Sequence, residues 1–299
     1  MSCKNCTEAP VFELSESKRT LCRSCFIRYF EKRVHKIIRT YQLLEKEDHV
    51  GVAVSGGKDS LTVLHLLSHI PLIHVTAIAI DEGIAGYREK TLETLKQFCD
   101  ERNITLHIKS YKETYGKDLD TIVPLLKTKP CSACGVMRRD LLNKTALELG
   151  CTKLATGHNS DDEAQSFMMN LFKNTLQTSA RLGPVTGILD DDKFITRIKP
   201  LYFVSEKEVA TYAFLKGFLD TFTECPYASV SYRAHVRDLL NDFEAQFPGT
   251  KKNIIKCFLH MKPLLQETYK KQPLYYCQKC QAPTSQDICR TCHTLSVVQ

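Results

Sequence analysis

Ser55-Gly56-Gly57-Lys58-Asp59-Ser60 sets two glycines, a lysine and an aspartate between two apolar patterns. Val50-Gly51-Val52-Ala53-Val54 precedes it and Leu61-Thr62-Val63-Leu64-His65-Leu66-Leu67 follows. A buried strand, a glycine-rich turn and a helix start together make a phosphate site. The glycines let backbone N–H groups approach phosphate oxygens. The helix N-terminus adds the positive end of its dipole, and Lys58 adds a full charge. The loop departs from the common nucleotide P-loop. The gap from Gly51 to Gly56 is right, but Gly57 stands where the lysine belongs. Asp59 follows Lys58 where a Ser or Thr would bind magnesium. The plain alternative is an ordinary strand–turn–helix.

The cysteines carry the second chemistry. There are fourteen in 299 residues. No apolar run reaches membrane-spanning length, and the opening residues Met-Ser-Cys-Lys-Asn-Cys do not read as a secretory leader, so a cytoplasmic protein without a membrane partner is expected. In a reducing compartment such thiols read as metal ligands or catalytic groups. Cys3-x2-Cys6-x15-Cys22-x2-Cys25 and Cys277-x2-Cys280-x8-Cys289-x2-Cys292 each pair two CxxC knuckles, the spacing of a tetrahedral zinc site. Both segments are too short to bury a core, so two Zn2+ ions are expected to supply folding energy. Iron or redox thiols are the alternatives. Cys131-Ser132-Ala133-Cys134-Gly135 is a further CxxC, placed just before a helix expected from about Val136. Cys225 stands alone in Glu224-Cys225-Pro226-Tyr227. Three thiolates with one open position suit a [4Fe–4S] cluster with one iron free for an outside ligand. A catalytic thiol pair is an equal reading, since a helix N-terminus with Arg138 and Arg139 nearby would lower a thiol pKa. Cys99, Cys151 and Cys257 lie in apolar periodic contexts and are expected in the core.

The elements that position these groups alternate. Strands are predicted at 50–54, 72–80, 104–109, 152–157 and 194–198. Helices are predicted near 60–69, 88–102, 134–149, 161–174 and 205–216. This implies an α/β fold, a doubly wound parallel sheet covered on both faces. Ligands of such sheets bind beyond the carboxyl ends of the strands. The Ser55–Ser60 loop, Asp81-Glu82-Gly83-Ile84 and Gly157-His158-Asn159-Ser160-Asp161-Asp162 all fall there, so three distant loops converge on one crevice. Asp161 and Asp162 open a helix, where an acidic pair caps the dipole. Facing a triphosphate, one of them could instead hold Mg2+. Ahead of the sheet, Ile27, Phe30, Val34, Ile37, Ile38, Tyr41 and Leu44 form an amphipathic helical stripe. Arg28, Lys32, Arg33, Lys36 and Arg39 lie opposite, as a solvated face or one that meets nucleic acid. The expected organisation is a zinc knuckle over 1–28, a basic linking helix over 29–47 and the nucleotide domain over 48–230. A basic helical region over 231–272 follows, then a second knuckle over 273–299, with Pro273 breaking the helix between them.

The formal charge is +7, with Lys and Arg in excess over Asp and Glu by four in residues 1–47 and by five in residues 231–299. The middle is therefore near −2. Basic ends on a near-neutral body suggest a polyanion gripped by the ends, against the plainer reading of a solubilising surface. Two four-thiolate zinc sites, each carrying net −2, would reduce the total to about +3.

The Ser55–Ser60 motif resembles the PP-loop of the N-type ATP pyrophosphatases, which cleave ATP between the α- and β-phosphates and adenylate a substrate. It is joined, in order, by Gly83-Ile84-x-Gly86-Tyr87-Arg88, Pro130-Cys131-x2-Cys134-Gly135, Gly157-His158-Asn159-x-Asp161-Asp162-Glu163-Ala164, Glu224-Cys225-Pro226 and the terminal knuckles. Together these resemble the tRNA 2-thiouridine synthetases of the PP-loop superfamily, over essentially the whole chain. The resemblance implies an enzyme, an ATP-dependent tRNA uridine 2-sulfurtransferase releasing AMP and pyrophosphate. It implies that Val54, Ser55, Gly56, Gly57, Lys58, Asp59 and Ser60 hold the phosphates, and that the main chain of Ile80 meets adenine. Arg138 and Gly157 would line the ATP site, and Asp162 or Asp161 would help with Mg2+. Cys131, Cys134 and Cys225 would bind a [4Fe–4S] cluster. Catalytic roles then fall on Cys131, Cys134, Cys225, Lys58, Asp59 and Asp161. ATP would adenylate uridine O2 and sulfur would attack C2, delivered at the open iron or, in a persulfide route, by Cys131 or Cys225. The sulfur donor would be free sulfide or a ubiquitin-like thiocarboxylate protein, and a homodimer is compatible. Met168-Met169-Asn170-Leu171 and Ala180-Arg181-Leu182-Gly183-Pro184 look more like the branch acting on the wobble uridine, position 34, than on the thymine-loop uridine, position 54. A non-catalytic zinc-dependent RNA-binding protein is the reading from another class, which a pyrophosphate-release assay would separate. A PP-loop amidotransferase would need an ammonia source, and no glutaminase domain is visible.

Overall fold

The computed structural model describes the chain except for residues 1, 15–16, 127–128, 187–191, 219–223, 270–274 and 299. The predicted break at Pro273 and the boundary between 272 and 273 lie outside the described residues. A hairpin of β1 (Phe12–Glu13) and β2 (Thr20–Leu21) leads into α1 (Arg23–Thr40). Then come β3 (His49–Ala53), α2 (Lys58–Ser68), β4 (His74–Asp81), α3 (Arg88–Asp100) and β5 (Leu106–Ser110). Two short helices, α4 (Tyr111–Tyr115) and α5 (Leu119–Ile122), precede α6 (Pro130–Glu148), β6 (Lys153–Thr156) and α7 (Ser160–Phe172). Beyond them lie α8 (Leu176–Ser179), β7 (Val185–Thr186), β8 (Thr196–Ile198) and α9 (Glu206–Lys216). The chain closes with α10 (Tyr232–Gln246), α11 (Thr250–Thr268), the hairpin of β9 (Tyr275–Tyr276) and β10 (Pro283–Thr284), and α12 (Arg290–Val298).

The central sheet has the order β5-β4-β3-β6-β8-β7, parallel from β5 through β8 with β7 as an antiparallel edge. Successive strand residues point to opposite faces, and both faces are apolar. Val50, Val52, Ala77, Ala79 and Ala155 face the layer of α1, α2, α3 and α9. Ile78, Ile80 and Leu154 face α6, through Met137, Leu141 and Ala146. This is the doubly wound arrangement expected. From β3 the chain winds outward through β4 and β5, then returns to place β6 on the other side of β3. The switch in direction opens a crevice at the carboxyl ends of β3 and β6.

The structure departs from the sequence reading in several places, among them the following. Strand β7 was not anticipated, because two residues show no alternation. Helix α1 ends at Thr40 rather than continuing through Leu44, since Gln42 takes φ of 48°, a left-handed value that stops a helix. Helix α6 begins at Pro130, not near Val136, so the CxxC lies inside its first turns. Proline at the first helical position has the right φ and no N–H to waste. Cys99 and Cys151 are core residues, but Cys257 is exposed. It follows Ile255 by two positions, which turns it away from the buried face of α11 formed by Ile255, Phe258 and Leu265.

Candidate active site and metal centres

The loop between β3 and α2 is built for close approach. Gly56 has φ of 86°, and a Cβ there would stand 2.5 Å from the Thr91 carbonyl oxygen. Ser60 Oγ accepts from the Ser55 amide (3.1 Å) and donates to the Gly57 carbonyl (2.9 Å), closing the turn from inside. Gly57 caps α2 with no side-chain acceptor, so the first amides of the helix point outward without a partner of their own. Across the crevice, a Cβ on Gly157 would lie 2.9 Å from the Asp59 carbonyl carbon and the Ser60 nitrogen. The loop after β6 thus rests directly on the start of α2. Val54 and the Ile80 side chain are buried, Ile80 near the end of β4.

Charges gather at this junction. Lys58 Nζ lies 3.0 Å from both Asp59 Oδ2 and Glu206 Oε1. Burial works against its charge, but Asp59 and Glu206 hold the ammonium above the usual lysine range. Burial pushes the Asp59 carboxyl up despite Lys58 and the Asn159 amide, which donates to it at 3.1 Å. Asp162 and Asn159 form a reciprocal capping box at the start of α7. Burial raises Asp162 to about 6, with Arg233 opposing and Asp59 and Glu206 adding to the rise. Asp161 is engaged differently. It accepts from Lys251 Nζ and from the Glu206 amide (2.9 Å), tying α7 to α9 and α11. The two carboxylates are therefore used differently: Asp161 is held in a staple, whereas Asp162 caps α7 through the Asn159 amide (3.1 Å) and faces Arg233 at 3.5 Å.

Two residues beneath the loop carry weight that the sequence reading missed. Glu82 and Arg88 are almost fully buried. Arg88 Nη1 donates to the Ser55 carbonyl at 2.7 Å, its Nε lies 3.1 Å from Glu82 Oε2, and Arg138 reaches Glu82 Oε1 at 3.4 Å. Both sit in the motifs Asp81-Glu82-Gly83-Ile84 and Gly86-Tyr87-Arg88, so the signal was present without a role attached. Glu206, Arg233 and Lys251 were missed because nothing local marks them. Arg233 bonds Asp162, Gln165 and Ser166. Part of the basic carboxyl-terminal region is therefore spent inside the fold. Likewise Arg33 of α1 pairs with Glu208 and the Phe203 carbonyl instead of facing solvent.

The terminal knuckles are compact sulfur sets. In Cys3, Cys6, Cys22 and Cys25, and again in Cys277, Cys280, Cys289 and Cys292, the ligand atoms lie within 4.8 Å of one another. The Cys289 amide donates to Cys277 Sγ at 3.2 Å and the Cys292 amide to Cys289 Sγ at 3.4 Å, bonds that favour thiolate. The donor set and spacing fit one tetrahedral ion at each. Cys131, Cys134 and Cys225 share one neighbourhood without forming such a tight set. Cys131 Sγ donates to the Tyr227 carbonyl at 3.3 Å, which brings the Cys225 turn against the first turn of α6. Cys134 and Cys225 pack on the same apolar cluster around Tyr111 and Met137. Tyr111 Oη donates to the Cys134 carbonyl at 2.9 Å. Three neighbouring thiols outside the tight four-cysteine sets fit a cluster with one open iron position by their ligand type and number. The expected lowering of a thiol pKa does not hold here. Burial pushes Cys134 up to about 11, outweighing Arg138, and raises Cys225 as well.

A PP-loop domain family matches residues 28–233. The chain is 36% identical to the tRNA-5-methyluridine(54) 2-sulfurtransferase of Pyrococcus horikoshii, covering 98% of this chain and 93% of that protein. It is 34% identical to the tRNA 2-thiolation protein NcsA of Haloferax volcanii, covering 100% and 99%. The solved U34-tRNA thiolase NcsA of Methanococcus maripaludis, with its [4Fe-4S] cluster, superposes with a TM-score of 0.84 at 33% identity, over 98% of this chain and 95% of that one. A phosphate loop at the switch point, a cysteine triple beside it and a full-length match to these proteins have one common source: the chain belongs to the PP-loop family of tRNA 2-thiolation proteins.

Proposed function

We propose that this protein is a cytoplasmic ATP-dependent tRNA uridine 2-sulfurtransferase acting at the wobble uridine, position 34. The observation that supports this most is the placement of two chemistries on one crevice. The Ser55–Ser60 loop faces Gly157, and the cysteine-bearing turn of α6 is joined to that loop through Arg138, Glu82 and Arg88. In this reading the amides of Ser55 through Ser60 and Lys58 hold the ATP phosphates, with Val54 leading into the loop. The Ile80 main chain meets adenine, and Arg138 and Gly157 bound the site. Asp162, with Asp59, would hold Mg2+, which would neutralise phosphate charge. Asp161, already paired with Lys251, keeps α7 in place. Uridine O2 attacks the α-phosphorus and pyrophosphate leaves. A sulfur nucleophile then adds at C2, and AMP departs with the original oxygen. Cys131, Cys134 and Cys225 would hold the [4Fe–4S] cluster, which when bound supplies an open iron for sulfide, and the two terminal four-cysteine sets would each hold zinc. Free sulfide or a thiocarboxylate protein would supply the sulfur.

A second reading, position 54, rests on the relative from Pyrococcus horikoshii. The deciding experiment is anaerobic reconstitution with iron, ATP, labelled sulfide and tRNA. Transcripts lacking uridine 34 or uridine 54 are compared. Loss of label with the first and retention with the second is expected. The reverse moves the target to position 54, and no label with any tRNA overturns the function.

A further inference from the structure

A second concave surface lies between the start of α6 and α12. It encloses about 440 Å3 and is lined by Ser132, Val136, Arg139, Arg290 and His293, among others. Ser132 stands between Cys131 and Cys134, so this cleft shares a wall with the cysteine triple. Arg197 of β8 braces this part of α6 from outside the lining, donating Nη2 to the Arg139 carbonyl at 3.1 Å. Arg139, Arg197 and Arg290 pair with no carboxylate among the described residues. Arg139 and Arg290 are both exposed and line the same cleft.

Gathering guanidinium groups without a counter-charge costs free energy that an outside anion would return. Guanidinium matches phosphate by paired N–H donors, and an open cleft leaves room for a nucleic-acid backbone to pass. The outer wall is held firmly: Leu295 of α12 packs into the cluster of Met137 and Leu141. We propose that this cleft is an RNA-backbone site, in which Arg139 and Arg290 hold phosphates of the tRNA strand next to the target uridine. The carboxyl-terminal knuckle then exists to supply the outer wall of that site. The assignment rests on tRNA being the substrate.

The test is an Arg139→Gln/Arg290→Gln double variant of the full chain, titrated with purified tRNA across a range of salt. A Lys90→Gln/Lys96→Gln variant on α3 removes the same charge elsewhere. The cleft variant should weaken tRNA binding on the order of tenfold and lower the slope of log Kd against log salt by about 0.7–0.9 for each phosphate it no longer holds. ATP binding and metal content should stay at wild-type values, which shows that the fold is intact. The α3 variant should bind tRNA within about twofold of wild type. Unchanged affinity and slope in the cleft variant overturn the proposal, as does an equal loss in the α3 variant. Normal RNA affinity with loss of sulfur transfer from a protein donor, but not from free sulfide, also overturns it and makes the cleft a protein-docking surface. A wild-type protein that binds tRNA through this cleft yet never thiolates it would instead refute the function proposed above.

Discussion

Replacing Gly56 by alanine tests the phosphate loop without touching a charge. Gly56 sits at φ of 86°, where a non-glycine residue costs about 1–2 kcal/mol. The added Cβ would lie 2.5 Å from the Thr91 carbonyl oxygen, a backbone atom that moves only with α3. Such overpacking adds about 1–3 kcal/mol. The sum, about 2–5 kcal/mol of lost stability, is relieved only by displacing the loop from Thr91. Displacement moves the amides that would face phosphate, so ATP affinity should fall at least tenfold, or about 1.4 kcal/mol. Gly57→Ala supplies the contrast. Gly57 has φ of −85° and its Cβ would meet nothing nearer than Ser55 Oγ at 3.4 Å. Its folding cost should stay near 1 kcal/mol, that of a poorer helix cap. Urea unfolding followed in parallel with calorimetric ATP titration separates the two. If Gly56→Ala unfolds at the wild-type midpoint and binds ATP normally, the strained-loop account is wrong. Equal damage to folding from both alanines would also refute it.

Four further outcomes are expected. Lys58→Ala should abolish thiolation and leave Asp59 and Glu206 without their shared cation, while zinc content is unchanged; near-normal adenylation of tRNA would show that this is not the ATP site. Cys22→Ser should release the amino-terminal metal and loosen the core shared with Phe12, Phe26 and Phe30, and retained zinc stoichiometry would contradict the ligand assignment. Cys225→Ala should lose iron and thiolation but keep ATP and tRNA binding; a variant without iron that thiolates at the wild-type rate would sink the cluster route. For Asp162 the folded carboxyl keeps its proton to about pH 6 whereas the unfolded one releases it near 3.8. Its contribution to stability is therefore full at lower pH and lost as the pH rises through that window. Asp162→Asn should flatten the stability profile between those values, and an unchanged profile would assign the slope to another group.

The phosphate loop, the alternating elements and the eight terminal cysteines were legible because each is a local pattern. Glycines, a strand end and a helix start stand side by side at Val54–Ser60, and CxxC spacing is itself the geometry of a knuckle. What was hidden is what tertiary packing decides. The sequence shows Asp161 and Asp162 as equivalent neighbours. Only the return of α11, bringing Lys251 onto Asp161, makes one a staple and leaves the other as the helix cap facing Arg233. Arg33 reads as a surface cation on a helical wheel, yet Glu208 lies 175 residues away in sequence and draws it inward. Cys134 reads as a thiol activated by a helix dipole and arginines, but burial pushes it up to about 11 against the pull of Arg138. Charge and dipole can be counted along a chain, whereas burial of a half-exposed helix start depends on which loop closes over it.

Glu82 shows how the two chemistries are held in register. A carboxylate this buried is costly unless its charge is met. Here it is met from both sides, by Arg88 at 3.1 Å and Arg138 at 3.4 Å. Arg88 fixes the phosphate loop through the Ser55 carbonyl. Arg138 lies four residues after Cys134 on α6, one helical turn along the same face. A shift of α6 large enough to move the cysteines must stretch the Arg138–Glu82 contact, and a shift of the loop must stretch Arg88–Glu82. Losing the Arg88 contact leaves part of a buried charge unpaired, a penalty of several kcal/mol when such a pair is broken, whereas the Arg138 contact, with its arginine half exposed, contributes less. The strain would therefore be shared between the phosphate loop and the cysteine wall. A reaction that activates uridine O2 at one and delivers sulfur to C2 from the other needs that register, because the activated oxygen and the carbon that sulfur attacks are directly bonded to each other.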